Sequence, residues 1–275
     1  MCNYCYGIRM KYVVILIIAV FIIICGTMIL FFQERLLFYP ELKNKPTQAS
    51  GEDIFMTMRD GVKLHSVLFK ASDSRGLILY FHGNTGNISR FRNICHHLIA
   101  MNYDCIVIDY RGFGRSEGHI SSQNQWYNDA EDIYKTALLY SNNKPSYLYG
   151  YSIGSTMAAY LSSIHRVAGI ILEAAPYSIE QIVKDKFPYL PLQYVLKYPF
   201  YNNTYLSKNT NSTIVLHGTN DRLVPYKHLL MLQKELSDNH SFVTIEGGTH
   251  NNLWDFDNTK AVIYDFLNTH NDDIS

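Results

Sequence analysis

The chain has 275 residues, enough for one large domain or two small ones. Its 24 basic residues match 24 acidic ones, so no positive stripe exists to neutralise phosphates, and nucleic acid is not an expected partner. With 17% charged and 47% apolar residues it is not a disordered or acidic-tail protein either, and its 22 tyrosines bring many hydroxyls that need partners when buried.

From the N-terminus, Tyr12 to Phe32 is a run of 21 residues without a charge. As a helix rising about 1.5 Å per residue it would cover about 30 Å, the hydrocarbon thickness of a bilayer. A cleaved signal peptide would have a shorter apolar core followed by small residues, whereas Phe32-Gln33-Glu34-Arg35 is bulky and charged. Residues 12–32 are therefore expected to be an uncleaved transmembrane anchor, after a short tail (1–11) and before a linker (33–51). Arg9 and Lys11 before the run nearly balance Arg35, Lys43 and Lys45 after it, so charge does not choose an orientation. A cytoplasmic tail would place the rest outside or in a lumen, with sequons at Asn202, Asn211 and Asn239 as candidate glycan acceptors. Cys2 and Cys5 lack a second pair to complete a zinc site; just before a membrane helix they are better read as candidate palmitoylation sites. Cys25 falls in the apolar span, and Cys95 and Cys105 read as small buried hydrophobes.

Past the linker, Ile54–Met58 and Val62–Phe69 flank Arg59-Asp60-Gly61, a hairpin signal. Strands are then expected at Gly76–Phe81, Cys105–Asp109, Ser146–Tyr149, Val167–Leu172, Thr213–His217 and Ser241–Ile245. Helix-length segments lie between them near 89–101, 125–141, 153–163, 226–236 and 255–268. This alternation predicts one α/β domain over 52–270, a mostly parallel sheet with helices on both faces.

In such sheets chemistry collects at the carboxyl ends of the strands. There the chain reads Gly150-Tyr151-Ser152-Ile153-Gly154, a G-x-S-x-G between a strand and a helix, where a nucleophile elbow has to stand. The bland alternative is a serine that only caps a helix. A nucleophilic serine needs a base and an orienting acid, and Asp221 and His250 follow the last two strands in the expected order. Glu173 also ends a strand and competes as the acid, but reads better as a helper satisfying local backbone donors. His217 reads as a satisfied core histidine, and His228 and His240 lie away from a strand's carboxyl end. The oxyanion donors expected are the Ile153 N–H and, in the loop His82-Gly83-Asn84-Thr85-Gly86-Asn87, the Asn84 N–H, with Gly83 letting the backbone bend inward. Gly112-Phe113-Gly114 with Gly118 is one residue too long for a dinucleotide fingerprint, and neither a P-loop nor H-E-x-x-H occurs, so no metal or other cofactor is expected.

With these residues in hand the chain resembles the α/β-hydrolase superfamily, and within it the membrane-anchored group that includes α/β-hydrolase domain-containing protein thirteen. The resemblance rests on FQERLLFYP (32–40), YFHGNTGNISR (80–90), DYRGFGRSEG (109–118), GYSIG (150–154), HGTNDRLVP (217–225) and GGTHNNLW (247–254). It implies the α/β-hydrolase fold, a triad of Ser152, Asp221 and His250, an oxyanion hole of Asn84 and Ile153, and a single-pass type II orientation. Tyr151, where close relatives often carry Arg, departs from the pattern and touches pocket polarity; the N-terminal tail is also short.

Residues 176–206 occupy the place of a cap. Phe187-Pro188-Tyr189-Leu190-Pro191 and Tyr198-Pro199-Phe200-Tyr201 make it aromatic, which suits an acyl chain; a helix merely packed on the sheet is the alternative. The expected function is a monomeric, membrane-anchored serine hydrolase cleaving lipid esters or acyl-thioesters through an acyl-enzyme on Ser152. Its partners would be the bilayer and an acylated substrate. A catalytically idle scaffold would be marked by a broken triad, and a peptidase of this fold usually carries a large extra domain that 275 residues do not hold.

Overall fold

The computed structural model describes residues 2–42, 51–189, 195–237 and 239–269; in the first helix, side chains 2–9, 18, 19, 22, 23, 25 and 28–31 lie outside the description. The palmitoylation reading of Cys2 and Cys5, the placement of Cys25, the charges at Lys43 and Lys45, and Leu190 and Pro191 of the cap all fall outside it.

Eight strands form one sheet: β1 Glu52–Thr57, β2 Lys63–Phe69, β3 Leu77–Phe81, β4 Asp104–Ile108, β5 Ser146–Tyr151, β6 Gly169–Glu173, β7 Thr213–Gly218 and β8 His240–Ile245. Their order is β8-β7-β6-β5-β3-β4-β2-β1. Only β2 runs against the others, pairing antiparallel with both β1 and β4, while the remaining pairs are parallel. The hairpin turns at Gly61, whose φ of 86° is open to glycine at no steric cost. Central β3 is buried at every position, as a parallel strand covered on both faces must be. Leu77, Leu79 and Phe81 feed one core together with helices α3 Gln123–Leu138, α4 Ser155–Ser162 and α5 Lys227–Glu235. Ile78 and Tyr80 feed the opposite core with α2 Arg92–Ala100 and α6 Asp257–Thr269. Two of the buried tyrosines donate to backbone acceptors: Tyr103 to the Leu267 carbonyl and Tyr110 to that of His82.

The expected anchor falls in α1, Cys2–Leu37, a helix of 36 residues that continues five residues beyond Phe32. Its apolar side chains at Val13, Leu16, Ile17, Phe21 and Ile24 are exposed. Among the described residues no helix is long and apolar enough to cross a membrane.

Two expectations are corrected here. The linker expected at 33–51 is not loose over 33–42: Gln33 and Phe38 are buried, Tyr39–Pro40 pairs in parallel with Thr85–Gly86, and Leu42 bridges to Gly114. The sequence does not show this, because most of these bonds are made by backbone groups. Asn202 and Asn211 do not suit glycosylation either, since both are buried. Asn202 Nδ2 donates to Ser155 Oγ and the Pro176 carbonyl, and Asn211 Nδ2 to the Ser162 and His165 carbonyls.

Phe38 is 5% exposed, with its ring 5.3 Å from that of Trp126 and 5.6 Å from that of Tyr198. Phe38→Ala is expected to destabilise the domain by about 3 kcal/mol, the usual cost of emptying an aromatic site. Thermal unfolding of the two proteins side by side checks this; an unchanged midpoint would mean that the 33–42 segment is not docked.

Candidate active site

The site begins with a backbone problem. Ser152 stands between β5 and α4 at φ 53°, a left-handed conformation that costs a non-glycine residue about 1–3 kcal/mol. The turn fits because its flanks are glycine. A β-carbon on Gly150 would lie 2.5 Å from Ser155 Cα, and one on Gly154 would lie 2.1 Å from the Phe81 carbonyl oxygen. The bend is held by Ser155 Oγ donating to the Ser152 carbonyl at 2.6 Å and Thr156 Oγ1 to that of Ile153 at 2.8 Å.

The structure brings Ser152, Asp221 and His250 together. His250 Nε2 lies 3.0 Å from Ser152 Oγ, and His250 Nδ1 lies 2.7 Å from Asp221 Oδ2. With Nδ1–H donating to the carboxylate, Nε2 is left as the acceptor for the serine proton. Burial works against a charged Asp221, but hydrogen bonding from His217, then His250 and the Val224 N–H, holds its carboxyl well below the usual range. Its other oxygen accepts the Leu223 and Val224 N–H groups at 2.8 and 2.9 Å.

His217 was expected to be an ordinary core histidine. It is buried, but its Nε2 lies 2.8 Å from the Val224 carbonyl and 3.4 Å from Asp221 Oδ2, so it packs on the acid itself. The four-residue spacing from Asp221 was the available signal. His228 and His240 stay away from the triad: His228 Nδ1 accepts the Tyr177 N–H and His240 Nδ1 lies 3.2 Å from the Ser237 carbonyl. Burial is the main cause pushing His228 down to about 4.

Ile153 opens the first turn after the strand, where an N–H has no intrahelical acceptor. It and Asn84 line a cavity of about 260 Å³ into which Ser152 opens. Gly83 is required for a reason other than the bend expected of it: a β-carbon there would lie 2.9 Å from the Tyr151 ring. Tyr151 points away from the cavity. Its hydroxyl lies 2.7 Å from Asn251 Oδ1 and 3.0 Å from the His250 carbonyl, so this residue braces the histidine loop and does not set pocket polarity. The cavity walls are mainly aliphatic, with Pro176, Ile179, Ile182 and Val183 from the cap and Leu223 and Val224 from the acid loop, and Lys186 also lines it. The aromatic cap expected from sequence is therefore corrected. Phe187 and Tyr189 are exposed, and Tyr198 and Phe200 are buried in the core near Trp126 (Tyr198 against Phe38), because the chain returns to the sheet there. A larger groove of about 720 Å³ lies beside His250, lined by Thr219, Asn220, Arg222 and Thr249 together with Leu223.

A twisted sheet with one reversed strand, an elbow serine after β5, and an acid and a histidine after β7 and β8 define an α/β-hydrolase. A family model described as "Serine aminopeptidase, S33" matches residues 72–202, a span that contains Asn84 and Ser152 and ends before Asp221 and His250. An uncharacterized protein of Acanthamoeba polyphaga mimivirus is 30% identical over 239 residues, covering 78% of this chain and 80% of that one. The α/β-hydrolase domain-containing protein WAV2 of Arabidopsis thaliana is 27% identical, covering 85% and 86%. Protein bem46 of Schizosaccharomyces pombe is 29% identical, covering 78% and 76%. Among solved structures, the Pyrococcus furiosus esterase Pf2001 has a TM-score of 0.68 at 16% identity, covering 85% of this chain and 97% of its own. Est1E of Butyrivibrio proteoclasticus, solved with ferulic acid, has 0.68 at 19%, covering 79% and 98%. The chain belongs to the α/β-hydrolase family.

Glu173 ends β6 beneath the triad, and its partners are side chains where backbone donors were expected. Tyr149 Oη–H donates to Oε2 at 2.6 Å and Trp254 Nε1–H at 3.2 Å. Burial pushes its carboxyl up, with the two donors and the nearby His250 opposing. A raised carboxyl contributes most to stability when protonated, below its unfolded value near 4.5, and loses that contribution as pH rises through the folded value. Glu173→Gln keeps an acceptor for Tyr149 and removes the titration. Its melting temperature is expected to gain on wild type by about 1–3 °C as pH is raised from 5 to 8. Parallel curves across that range would show that Glu173 does not titrate on folding.

Proposed function

We propose that the chain is a serine hydrolase acting on carboxylic esters or thioesters with a lipid acyl group. The observation that carries this reading is the hydrogen-bonded line from Asp221 through His250 to Ser152, opening into an aliphatic cavity. Ser152 Oγ attacks the acyl carbon while His250 Nε2 takes its proton, and the carbonyl oxygen becomes an oxyanion facing the Asn84 and Ile153 N–H groups. Collapse breaks the bond to the alkoxide or thiolate, which leaves with the proton from His250. Water, deprotonated by the same histidine, then releases the acid and restores the serine.

The family-model description raises an aminopeptidase reading, but the cavity does not favour it. Capture of an α-amine calls for a carboxylate, and the described cavity lining contains none while it includes Lys186. In the same proposal α1 anchors the enzyme in a bilayer in type II orientation, as in the membrane-anchored group around α/β-hydrolase domain-containing protein thirteen. The support is its uncharged run over 12–32 and the exposed apolar side chains along it.

A fluorophosphonate probe applied to the membrane fraction is expected to label wild type and to leave Ser152→Ala unlabelled. A folded wild type that stays unlabelled would turn the assignment to a catalytically idle scaffold. Asp221→Asn is expected to lower kcat on a nitrophenyl ester by about 10³–10⁴-fold, through the wrong histidine tautomer. A loss under tenfold would move the role of acid to another residue, with Glu173 first.

A further inference from the structure

A linker between an anchor and an enzyme needs no particular contacts, and the foot of α1 has many. On the cap side, both ends of the buried Gln33 amide meet backbone: Nε2–H donates to the Val195 carbonyl at 2.6 Å and Oε1 accepts the Lys197 N–H at 2.8 Å. Glu34 Oε1 accepts the Tyr198 hydroxyl at 2.8 Å and pairs with Lys197 Nζ at 3.2 Å. On the side of the oxyanion loop, Asn84 Nδ2–H donates to the Leu37 carbonyl at 2.8 Å, and the Asn84 carbonyl accepts the Tyr39 N–H at 2.8 Å. Glu41 N–H continues the ladder to the Gly86 carbonyl at 2.9 Å. Between these fastenings Leu36, Leu37 and Tyr39 line the cavity that holds Ser152.

We propose that the foot of α1, Gln33 to Tyr39, is part of the acyl-binding site. It forms the cavity wall through Leu36 and Leu37, and it positions the oxyanion loop through the bonds between Asn84 and the 37–39 backbone. This rests on the ester-hydrolase reading and deepens it, because it sets the substrate class. The acyl chain lies against α1 and extends toward Phe32, which is exposed on the same helix, so the enzyme prefers long aliphatic chains to short ones. Asn84 thereby has two duties: its N–H faces the oxyanion, and its side chain ties the loop to the helix.

The test compares labelling rates of the full-length protein, in detergent micelles, with ethyl- and dodecyl-chain fluorophosphonates. Wild type is expected to favour the dodecyl probe. Leu36→Trp places a large ring in the wall at an exposed position that tolerates it for folding. It is expected to lower the dodecyl-to-ethyl rate ratio by about tenfold, equivalent to roughly two methylenes no longer buried. Leu37→Ala widens the same wall and is expected to move the preferred chain length upward across an alkyl series. Asn84→Ala retains its N–H but loses the tie to Leu37, and is expected to slow both probes by a similar factor with the ratio unmoved. A wild type that takes neither probe overturns the hydrolase reading and the wall with it. A wild type that takes both, with the chain-length profile unmoved in both leucine variants, overturns the wall alone.

Discussion

The left-handed turn at Ser152 is the constraint on which the rest of the site depends. A residue with a β-carbon pays about 1–3 kcal/mol to hold that conformation, so the surroundings must leave the chain no cheaper path. They do so by close approach. Gly150 admits the α4 backbone and Gly154 admits the carbonyls of Phe81 and His82, both at distances a side chain would forbid. In consequence the serine oxygen stands at the carboxyl edge of β5, with β3 on one side and β6 on the other. The oxyanion loop after β3 and the acid and histidine loops after β7 and β8 then converge on it.

Two buried carboxylates near the serine show how hydrogen bonding decides charge. Asp221 and Glu173 both end strands, and both lose water. Asp221 is met by two backbone N–H groups and two imidazoles, and the sum of these outweighs desolvation. Glu173 is met by a phenol and an indole, with His250 nearby, and desolvation outweighs them. The same residue class is thus shifted in opposite directions, down at the orienting acid and up at the strut beside it. Tyr149 and Trp254, which hold the strut, come from β5 and from the turn just after His250, so the strut also ties the serine strand to the histidine loop.

The foot of α1 extends this arrangement outward. Gln33, Phe38 and Tyr39 dock through one buried amide, one aromatic ring and a short parallel ladder, and none of these is visible as hydropathy. The polar stretch from Pro40 to Gly51 makes the segment look like a spacer, while most of the bonds that dock it are made by backbone groups, which every sequence has. The cap misleads in the opposite direction. Its aromatic residues suggest an acyl pocket, yet Phe187 and Tyr189 face solvent and Tyr198 and Phe200 complete the core, which leaves the cavity to Pro176, Ile179, Ile182 and Val183.

Strand positions, to within two residues, and the placement of Ser152 on a glycine-flanked bend were legible in the sequence. Each is a local demand: a short apolar run along a strand, or a backbone angle that neighbours must permit, is written in adjacent residues. The order of Asp221 and His250 after it was legible for the same reason, since each follows its own apolar run. What only the tertiary structure decided is which buried polar groups meet: His217 on Asp221, Tyr151 under the histidine loop, Glu173 between Tyr149 and Trp254, and the Leu37 carbonyl on Asn84. These partners lie between 4 and 99 positions apart in the chain, and a buried donor or acceptor takes whichever partner the strand order brings within 3 Å or so. That order belongs to the sheet as a whole, and no single segment contains it.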